Sequence, residues 1–203
     1  ERLGYLISDL LALARGDEGH ARFEQELVRL DLVVEATVAS AQALAEERAI
    51  QLTAHADQPV TLVGDEARLI QVVINLVENA LYYTGPGGKV QVVVEPLEHA
   101  VRLVVEDSGR GIAPQHVPHI FERFYRADPA RQQSGGSRSG LGLAIVAWVV
   151  RVHGGIITVE SQMGQGSRFT ITFPLTPSSH TKTMAEGDVS YPITLYSPQP
   201  GSP

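Results

Sequence analysis

The sequence contains no cysteine, which excludes disulfide bonds, thiolate nucleophiles and cysteine-ligated zinc. It also lacks an apolar run of the roughly 18 residues that a membrane-spanning helix requires, so we expect a soluble piece with no membrane segment. Basic residues are few, with 16 Lys and Arg against 23 Asp and Glu, and the net charge of −7 argues against a nucleic-acid surface. A small anionic ligand remains compatible with this charge, because a pocket needs only local donors.

The apolar content, 43% of 203 residues, is sufficient for one good-sized domain with a packed core. Apolar periodicity predicts, in chain order, a helix over 3–15, a strand over 27–32 running into a helix, two strands within 50–64, a helix over 65–83, a hairpin within 89–107, a short helical piece within 116–125, a helix opening at 140 and two strands within 154–175. This order predicts an α+β fold, a two-layer sandwich with helices on one face of a mixed β-sheet.

The helix over 65–83 carries polar residues beside its apolar stripe. Gln71, Asn75, Asn79 and Tyr82 are spaced by four, four and three residues, so they share one side of the helix. Two neutral amides one turn apart can hold Mg²⁺ that is already bound to phosphates. The alternative is that the asparagines are solvated or cap local backbone, and the helix alone favours neither.

Glycines accompany an aspartate in "EDSGRGI", which follows an apolar strand. The glycines let the chain turn and let a flat ligand approach closely. Asp107, at the strand end, can accept a hydrogen bond from an exocyclic amine such as that of adenine. An ordinary Asp-Ser-Gly turn is the alternative interpretation.

A second glycine-containing stretch, "SGLGLAIV", opens an apolar helix at Gly140 and Gly142. The free N–H groups and the dipole of a helix start attract phosphates, although a plain loop joining a helix would have the same composition.

The stretch "FERFYR" precedes a polar Gly/Ser-rich segment. We expect Phe121 and Phe124, with Tyr125, to anchor one end of that segment against the core. Arg123 or Arg126 is then placed to reach a terminal phosphate. A surface helix with its aromatic side chains turned inward is the alternative.

Together, the succession N-x-x-x-N-A, D-x-G-x-G, F-x-x-F and G-L-G-L resembles the ATP-binding domain of histidine protein kinases. That group belongs to a superfamily that also holds gyrase, ATPase chaperones and mismatch-repair proteins. The resemblance covers about Leu27 to Leu175 and implies a Bergerat-type ATP-binding fold that uses ATP and Mg²⁺. It divides the chain into a remnant of the dimerisation hairpin with its connector (1–26), the catalytic domain (27–175) and a Pro/Ser/Thr-rich tail (176–203).

The resemblance also implies roles for individual residues. Asn75 and Asn79 would face Mg²⁺ and the phosphates. Asp107 would bind the adenine amine with help from Gly109 and Gly111. The remaining residues implied in nucleotide binding are Tyr82, Tyr83 beside the adenine or ribose, Ile112, Arg126, the backbone of Gly140, Leu141 and Gly142 at the phosphates, Leu143, and Thr170 through a water molecule. Residues 125–139 would form the mobile ATP lid.

Two positions depart from what related sequences carry. ATPases of the superfamily have a glutamate where this chain has Asn75, and an amide cannot act as a base, so we expect slow hydrolysis and transfer to an external nucleophile. Tyr82 stands where relatives commonly have Lys or Arg, a cation that helps to hold phosphate. Arginines of the lid could supply that contact instead, namely Arg123, Arg126, Arg131 and Arg138.

The acceptor histidine is expected outside this chain, since none of the seven histidines fits an acceptor motif. His153 is expected to be structural, near a helix end, and His116 and His119 to be surface residues. The implied partners are a hairpin bearing the acceptor histidine, within a homodimeric parent, and a response regulator. The implied location is cytoplasmic, with a parent that can be membrane-anchored. The alternatives are a degenerate nucleotide-binding module without kinase activity and a serine kinase of the anti-sigma type.

Overall fold

The structure, a computed structural model, describes residues 24–127 and 139–175. The predicted helix over 3–15, the tail and most of the predicted lid, with Arg131 and Arg138, lie outside them. The elements are β1 (Glu26–Arg29), α1 (Leu30–Glu47), β2 (Gln51–Ala56), β3 (Thr61–Gly64), α2 (Glu66–Tyr83), β4 (Lys89–Pro96), β5 (Ala100–Asp107), a short 3₁₀ helix (Val117–His119), α3 (Gly142–Val152), β6 (Ile156–Gln162) and β7 (Gly166–Pro174). None of these helices is long and apolar enough to cross a membrane.

The strands of the described residues form a five-stranded sheet in the order β2-β4-β5-β7-β6 and a separate pair, β1 with β3. Strands β2 and β4 run parallel, whereas the other neighbours in the large sheet are antiparallel. The predicted hairpin within 89–107 is confirmed as β4 and β5. The mixed sheet and the helical layer confirm the predicted α+β sandwich.

The core lies between this sheet and the helices. On β5, Val101, Leu103 and Val105 are buried at alternate positions, as a strand with one face on a core requires. Helix α2 buries one stripe of seven residues, Leu69, Val72, Val73, Leu76, Val77, Ala80 and Leu81. Burying a side chain such as Leu76 stabilises the fold by about 1.5–3 kcal/mol. The stripe fixes the rotation of α2, and hence where its polar side points.

The strand predicted over 27–32 is shorter than expected. β1 ends at Arg29 and α1 begins at Leu30, because the buried carboxylate of Asp31 holds the chain at this point. Asp31 accepts hydrogen bonds from the Arg29 guanidinium (2.9 and 2.5 Å) and from the Val60 N–H (3.1 Å). The Leu30 N–H also donates to the Val60 carbonyl, at 2.9 Å. These contacts tie the start of α1 to the chain ahead of β3.

Candidate functional site

A cleft of about 240 Å³ opens where the end of β5 meets α2, the start of α3 and the β6–β7 turn. Seven of the fourteen residues implied in nucleotide binding line it: Asn79, Tyr83, Asp107, Gly111, Ile112, Arg126 and Leu143. They come from segments that are far apart in the chain. The fold therefore gathers half of the predicted site residues around one cavity.

Asp107 is the buried acidic group of the cleft, with 6% of the residue exposed. Its Oδ1 accepts a hydrogen bond from the Gly109 N–H at 2.8 Å, and the Ser167 backbone also hydrogen-bonds the carboxylate. Burial nevertheless raises the pKa of Asp107 to about 6. A buried carboxylate gains from an additional donor, so the site suits a ligand that presents an amino group.

The glycines after Asp107 are required by the protein's own backbone. A Cβ on Gly109 would lie 2.5 Å from the Tyr83 carbonyl oxygen. Gly111 has a φ of +70°, and a Cβ there would lie 2.0 Å from the Gln162 carbonyl oxygen. Gly109 does not line the cleft and acts instead through its N–H on Asp107. Of the two roles expected of these glycines, turning the chain and admitting a flat ligand, the backbone contacts support the first.

The polar side of α2 meets the cleft at Asn79. Asn75, one turn earlier, lies beneath the start of α3, where its Oδ1 is 3.1 Å from the position of a Cβ on Gly142. Its Nδ2 is buried and has no hydrogen-bond partner among the described residues. Tyr82 does not line the cleft, and its ring meets that of Tyr83 edge-on with centroids 4.9 Å apart. Asn79 is thus the amide at the cavity, with Asn75 and Tyr82 behind it.

Helix α3 starts at Gly142 with no side-chain cap among the described residues. The preceding Leu141 is buried, and its N–H lies 3.3 Å from the Ser139 Oγ. Gly140 has a φ of +70° and packs against the backbone of Phe124. An uncapped helix start leaves backbone N–H groups that favour an anion. Leu143, in the first turn, lines the cleft.

The expectation that both phenylalanines of "FERFYR" anchor this segment is half wrong. Phe121 is buried at 1% exposure, whereas Phe124 is 60% exposed with a φ of +63°. Phe124 contributes through its backbone, because its N–H donates to the Gly140 carbonyl at 3.0 Å. The predicted helical piece is only the 3₁₀ turn Val117–His119, and the chain adopts a left-handed backbone at Phe124.

Two aromatic groups hold the end of this segment at the cleft. The Tyr125 hydroxyl lies 2.7 Å from His116 Nδ1, and both residues line the cavity together with Arg126. His116, which the sequence analysis expects at the surface, is half-buried and borders the cavity. Nothing in the local pattern distinguishes it, since its placement depends on where the 3₁₀ turn packs.

Thr170 does not reach the cleft. Side chains alternate along β7, and the cavity-lining Ser167 and Phe169 fix the parity of the strand. Thr170 pairs with Val104 on the opposite face of the sheet. Ser167, Arg110 and Met163 line the cavity but were not predicted. The only sequence signal that could have predicted Ser167 at the cavity is the alternation of side chains along β7.

A metal-only site is not present in the described ranges, which contain no group of three or more His, Cys, Asp or Glu residues able to hold an ion. Mg²⁺ commonly binds through one or two protein oxygens together with phosphate oxygens and water. The Asn79 amide at the cavity fits that manner of binding. A magnesium ion here would depend on a phosphorylated ligand.

The family model described as "Histidine kinase-, DNA gyrase B-, and HSP90-like ATPase" matches residues 64–177. The chain belongs to this family. It is 39% identical over 173 residues, 85% of its length, to the sensor histidine kinase CusS of Escherichia coli O157:H7, of which it covers 35%. The chain spans roughly a third of the length of the curated relatives it matches.

Solved structures agree with this assignment. The mycobacterial sensor histidine kinase MprB is 31% identical with a TM-score of 0.63, over 76% of this chain and 99% of that one. Full-length ShkA in complex with AMPPNP is 29% identical with a TM-score of 0.74, over 87% of this chain and 36% of that one. The predicted catalytic ATP-binding domain of the histidine kinase type is therefore confirmed.

Proposed function

We propose that this chain is the ATP-binding catalytic part of a two-component sensor histidine kinase, and that it transfers the γ-phosphoryl group of ATP to a histidine outside the chain. One observation carries the proposal: Asn79 from α2, Asp107 from the end of β5 and Leu143 from the start of α3 border a single cleft. An amide, a buried acceptor and an uncapped helix start are the groups that a metal-bound triphosphate with an amino-bearing base requires.

Each group then has a role. Asp107 accepts a hydrogen bond from the adenine amine at the buried end of the cleft. Asn79 supplies an oxygen to Mg²⁺, and Asn75 supports the start of α3 from beneath. Arg126, which lines the cleft, takes the place of the cation absent at Tyr82 and contacts phosphate. The open N–H groups at Gly142 and Leu143 add backbone donors for the phosphates.

Among the described residues that line the cleft, no carboxylate is suited to activating water, and the Nδ1 of the lining His116 is already paired with the Tyr125 hydroxyl. Asp107 is the only Asp or Glu among these described residues, and backbone N–H groups already hold that carboxylate. The Asn75 amide cannot take up a proton. We therefore expect slow ATP hydrolysis, which leaves the phosphoryl group for an external imidazole.

The expected partners follow from the same proposal. A dimerisation hairpin carries the acceptor histidine, a response regulator receives the phosphoryl group, and the parent protein is a homodimer acting in the cytoplasm. The sensor kinase relatives and the AMPPNP complex of ShkA support this assignment.

Nucleotide titration of the 203-residue chain, with and without Mg²⁺, tests the site. Asn79→Ala should lose the Mg²⁺ dependence of ATP binding, and Asp107→Ala should lose the preference for ATP over GTP. Gln91→Ala, an exposed amide on β4, is the matched control. Equal behaviour of all three variants would remove the proposed site.

Phosphotransfer tests the reaction. A dimerisation hairpin with its acceptor histidine, supplied in trans with ATP and Mg²⁺, should acquire acid-labile phosphate on histidine. ATP binding without phosphohistidine would favour a non-catalytic module, and acid-stable phosphate on serine would favour a kinase of the anti-sigma type.

A further inference from the structure

We propose that the turn joining β6 to β7 is a selective wall of the nucleotide cleft, in which Met163 contacts the base and favours purines over pyrimidines. Ser161 is the positioning residue that holds the Asp107–Ile112 loop against this turn. The inference rests on the proposed function, because it assigns contacts to a nucleotide in that cleft. The turn is defined here as residues 162–166.

Backbone contacts join the turn to the Asp107–Ile112 loop. The Gly164 N–H donates to the Arg110 carbonyl at 2.7 Å. The Gln162 carbonyl lies so close to Gly111 that a Cβ there would be 2.0 Å away. On the other side, a Cβ on Gly166 would lie 1.8 Å from the Asp107 carbonyl oxygen. The loop and the turn therefore pack as one unit, and a shift of one displaces the other.

Ser161 supplies the side-chain part of this junction. Its Oγ accepts a hydrogen bond from the Ile112 N–H at 2.8 Å and donates one to the Gly166 carbonyl at 2.9 Å. The same hydroxyl lies 3.0 Å from the Ser167 Oγ, and Ser167 lines the cleft. One hydroxyl thus connects the end of the loop to both ends of the turn.

Met163 is the apolar side chain that the turn presents to the cleft. It is 58% exposed yet lines the cavity together with Ile112. The backbone contacts of Gln162 and Gly164 on either side hold the main chain of Met163 at the cleft. A thioether contacts aromatic rings favourably, and a purine offers it more ring surface than a pyrimidine does. The geometry accordingly assigns Met163 to the base end of the ligand.

Arg110 also links the turn to Tyr83, which lines the same cleft. The Arg110 guanidinium, whose backbone carbonyl is bonded by Gly164, lies 4.5 Å from the centre of the Tyr83 ring. That cation–π contact covers one face of the tyrosine. The covered face of Tyr83 is less accessible to a base. Met163 supplies an apolar surface that the base can contact instead.

To test the role of Met163, the affinities for ATP and CTP are measured in Met163→Ala and in Gln165→Ala. Gln165 is an exposed control residue in the same turn. Met163→Ala should weaken ATP binding about 2- to 10-fold, with a smaller change for CTP. Gln165→Ala should bind both nucleotides like the parent chain. An unchanged ratio of ATP to CTP affinity in Met163→Ala would overturn the assignment of Met163.

To test the role of Ser161, hydrogen exchange is measured in addition to ATP affinity. Ser161→Ala should speed hydrogen exchange of the Ile112 amide and weaken ATP binding about 5-fold, and Ser161→Thr, which keeps a hydroxyl, should restore both. Faster exchange with unchanged ATP affinity would overturn the positioning role. If the parent chain binds no nucleotide at all, the proposed function itself fails, and this outcome is distinct from either variant result.

Discussion

The imidazole of His153 joins the end of α3 to the start of α2. Its Nε2 accepts a hydrogen bond from the Asp65 N–H at 3.0 Å, and its Nδ1–H donates to the Val149 carbonyl at 2.8 Å. Asp65 is in turn the N-cap of α2, accepting from the Arg68 N–H at 3.1 Å. The ring must be neutral to serve both partners, which confirms the structural role expected of His153.

This histidine predicts a loss of stability on acidification. Burial lowers the pKa of His153 below its ordinary value of 6.5, so the unfolded chain binds the proton more readily than the folded chain. The contribution is fully present above pH 6.5 and is lost as the pH falls through the lowered pKa. His153→Gln should flatten the dependence of unfolding free energy on pH below 6.5 and cost about 1–3 kcal/mol at pH 7.5. Urea denaturation at several pH values measures both.

His99→Gln is the control for that experiment, because the His99 side chain is 88% exposed. It should keep the pH dependence of the parent chain. A parent-like slope in His153→Gln would contradict the assignment.

Asp107 predicts the opposite dependence on pH. Its pKa is raised to about 6, so the folded chain binds the proton more readily, and the stability contribution present below about pH 4 is lost as the pH rises through 6. Between pH 4 and pH 7, the parent chain should lose about 1–3 kcal/mol of unfolding free energy that Asp107→Ala does not lose. Carbon NMR of the Asp107 carboxyl group gives the pKa directly. A midpoint near 4, like that of an exposed aspartate, would refute this prediction.

Asp31 predicts a further loss of stability in strong acid. The Arg29 guanidinium, followed by the Val60 N–H, lowers the pKa of Asp31 to about 2 although burial opposes the shift. This contribution is present above about pH 4 and disappears as the pH falls to about 2. Asp31→Asn should lower the melting temperature at pH 6 and remove that part of the acid dependence. Asp57→Asn, with an 81% exposed side chain, should change neither.

The close packing at Gly111 predicts a position-specific cost for adding one methyl group. Gly111→Ala would place a Cβ 2.0 Å from the Gln162 carbonyl at a φ of +70°, so we expect a loss of about 2 kcal/mol or more in unfolding free energy and weaker ATP binding. Gly85→Ala is the matched substitution, because a Cβ there meets nothing within 4 Å. Similar melting temperatures for the two variants would disprove the constraint.

The sequence predicts best where local chemistry decides the outcome. Helix α2 was predicted over 65–83 and found at Glu66–Tyr83, because a regular apolar stripe and an aspartate cap both act within one element. The buried Asp107 at a strand end could likewise be predicted, since the apolar strand β5 ends in a glycine-containing loop.

Other features depend on contacts that are distant in the chain. Thr170 is expected at the site but Ser167 is found there, because the parity of β7 is fixed by its pairing with β5, through Val104 opposite Thr170. The exposure of Phe124 follows from a left-handed backbone that its contact with Gly140 imposes. The early start of α1 requires Val60, which lies well downstream of Asp31. In each case the deciding partner lies beyond the reach of a local pattern.

The bond between the Phe124 N–H and the Gly140 carbonyl has a consequence for engineering. It holds Phe124 and Gly140 together, so the two ends of the intervening chain meet at one fixed point of the domain. The entropy of closing such a loop changes slowly with its length, by roughly 0.6 kcal/mol per doubling. Inserting a reporter or a second binding module between these two anchors should therefore leave the sandwich intact, which makes this junction the natural place to graft one.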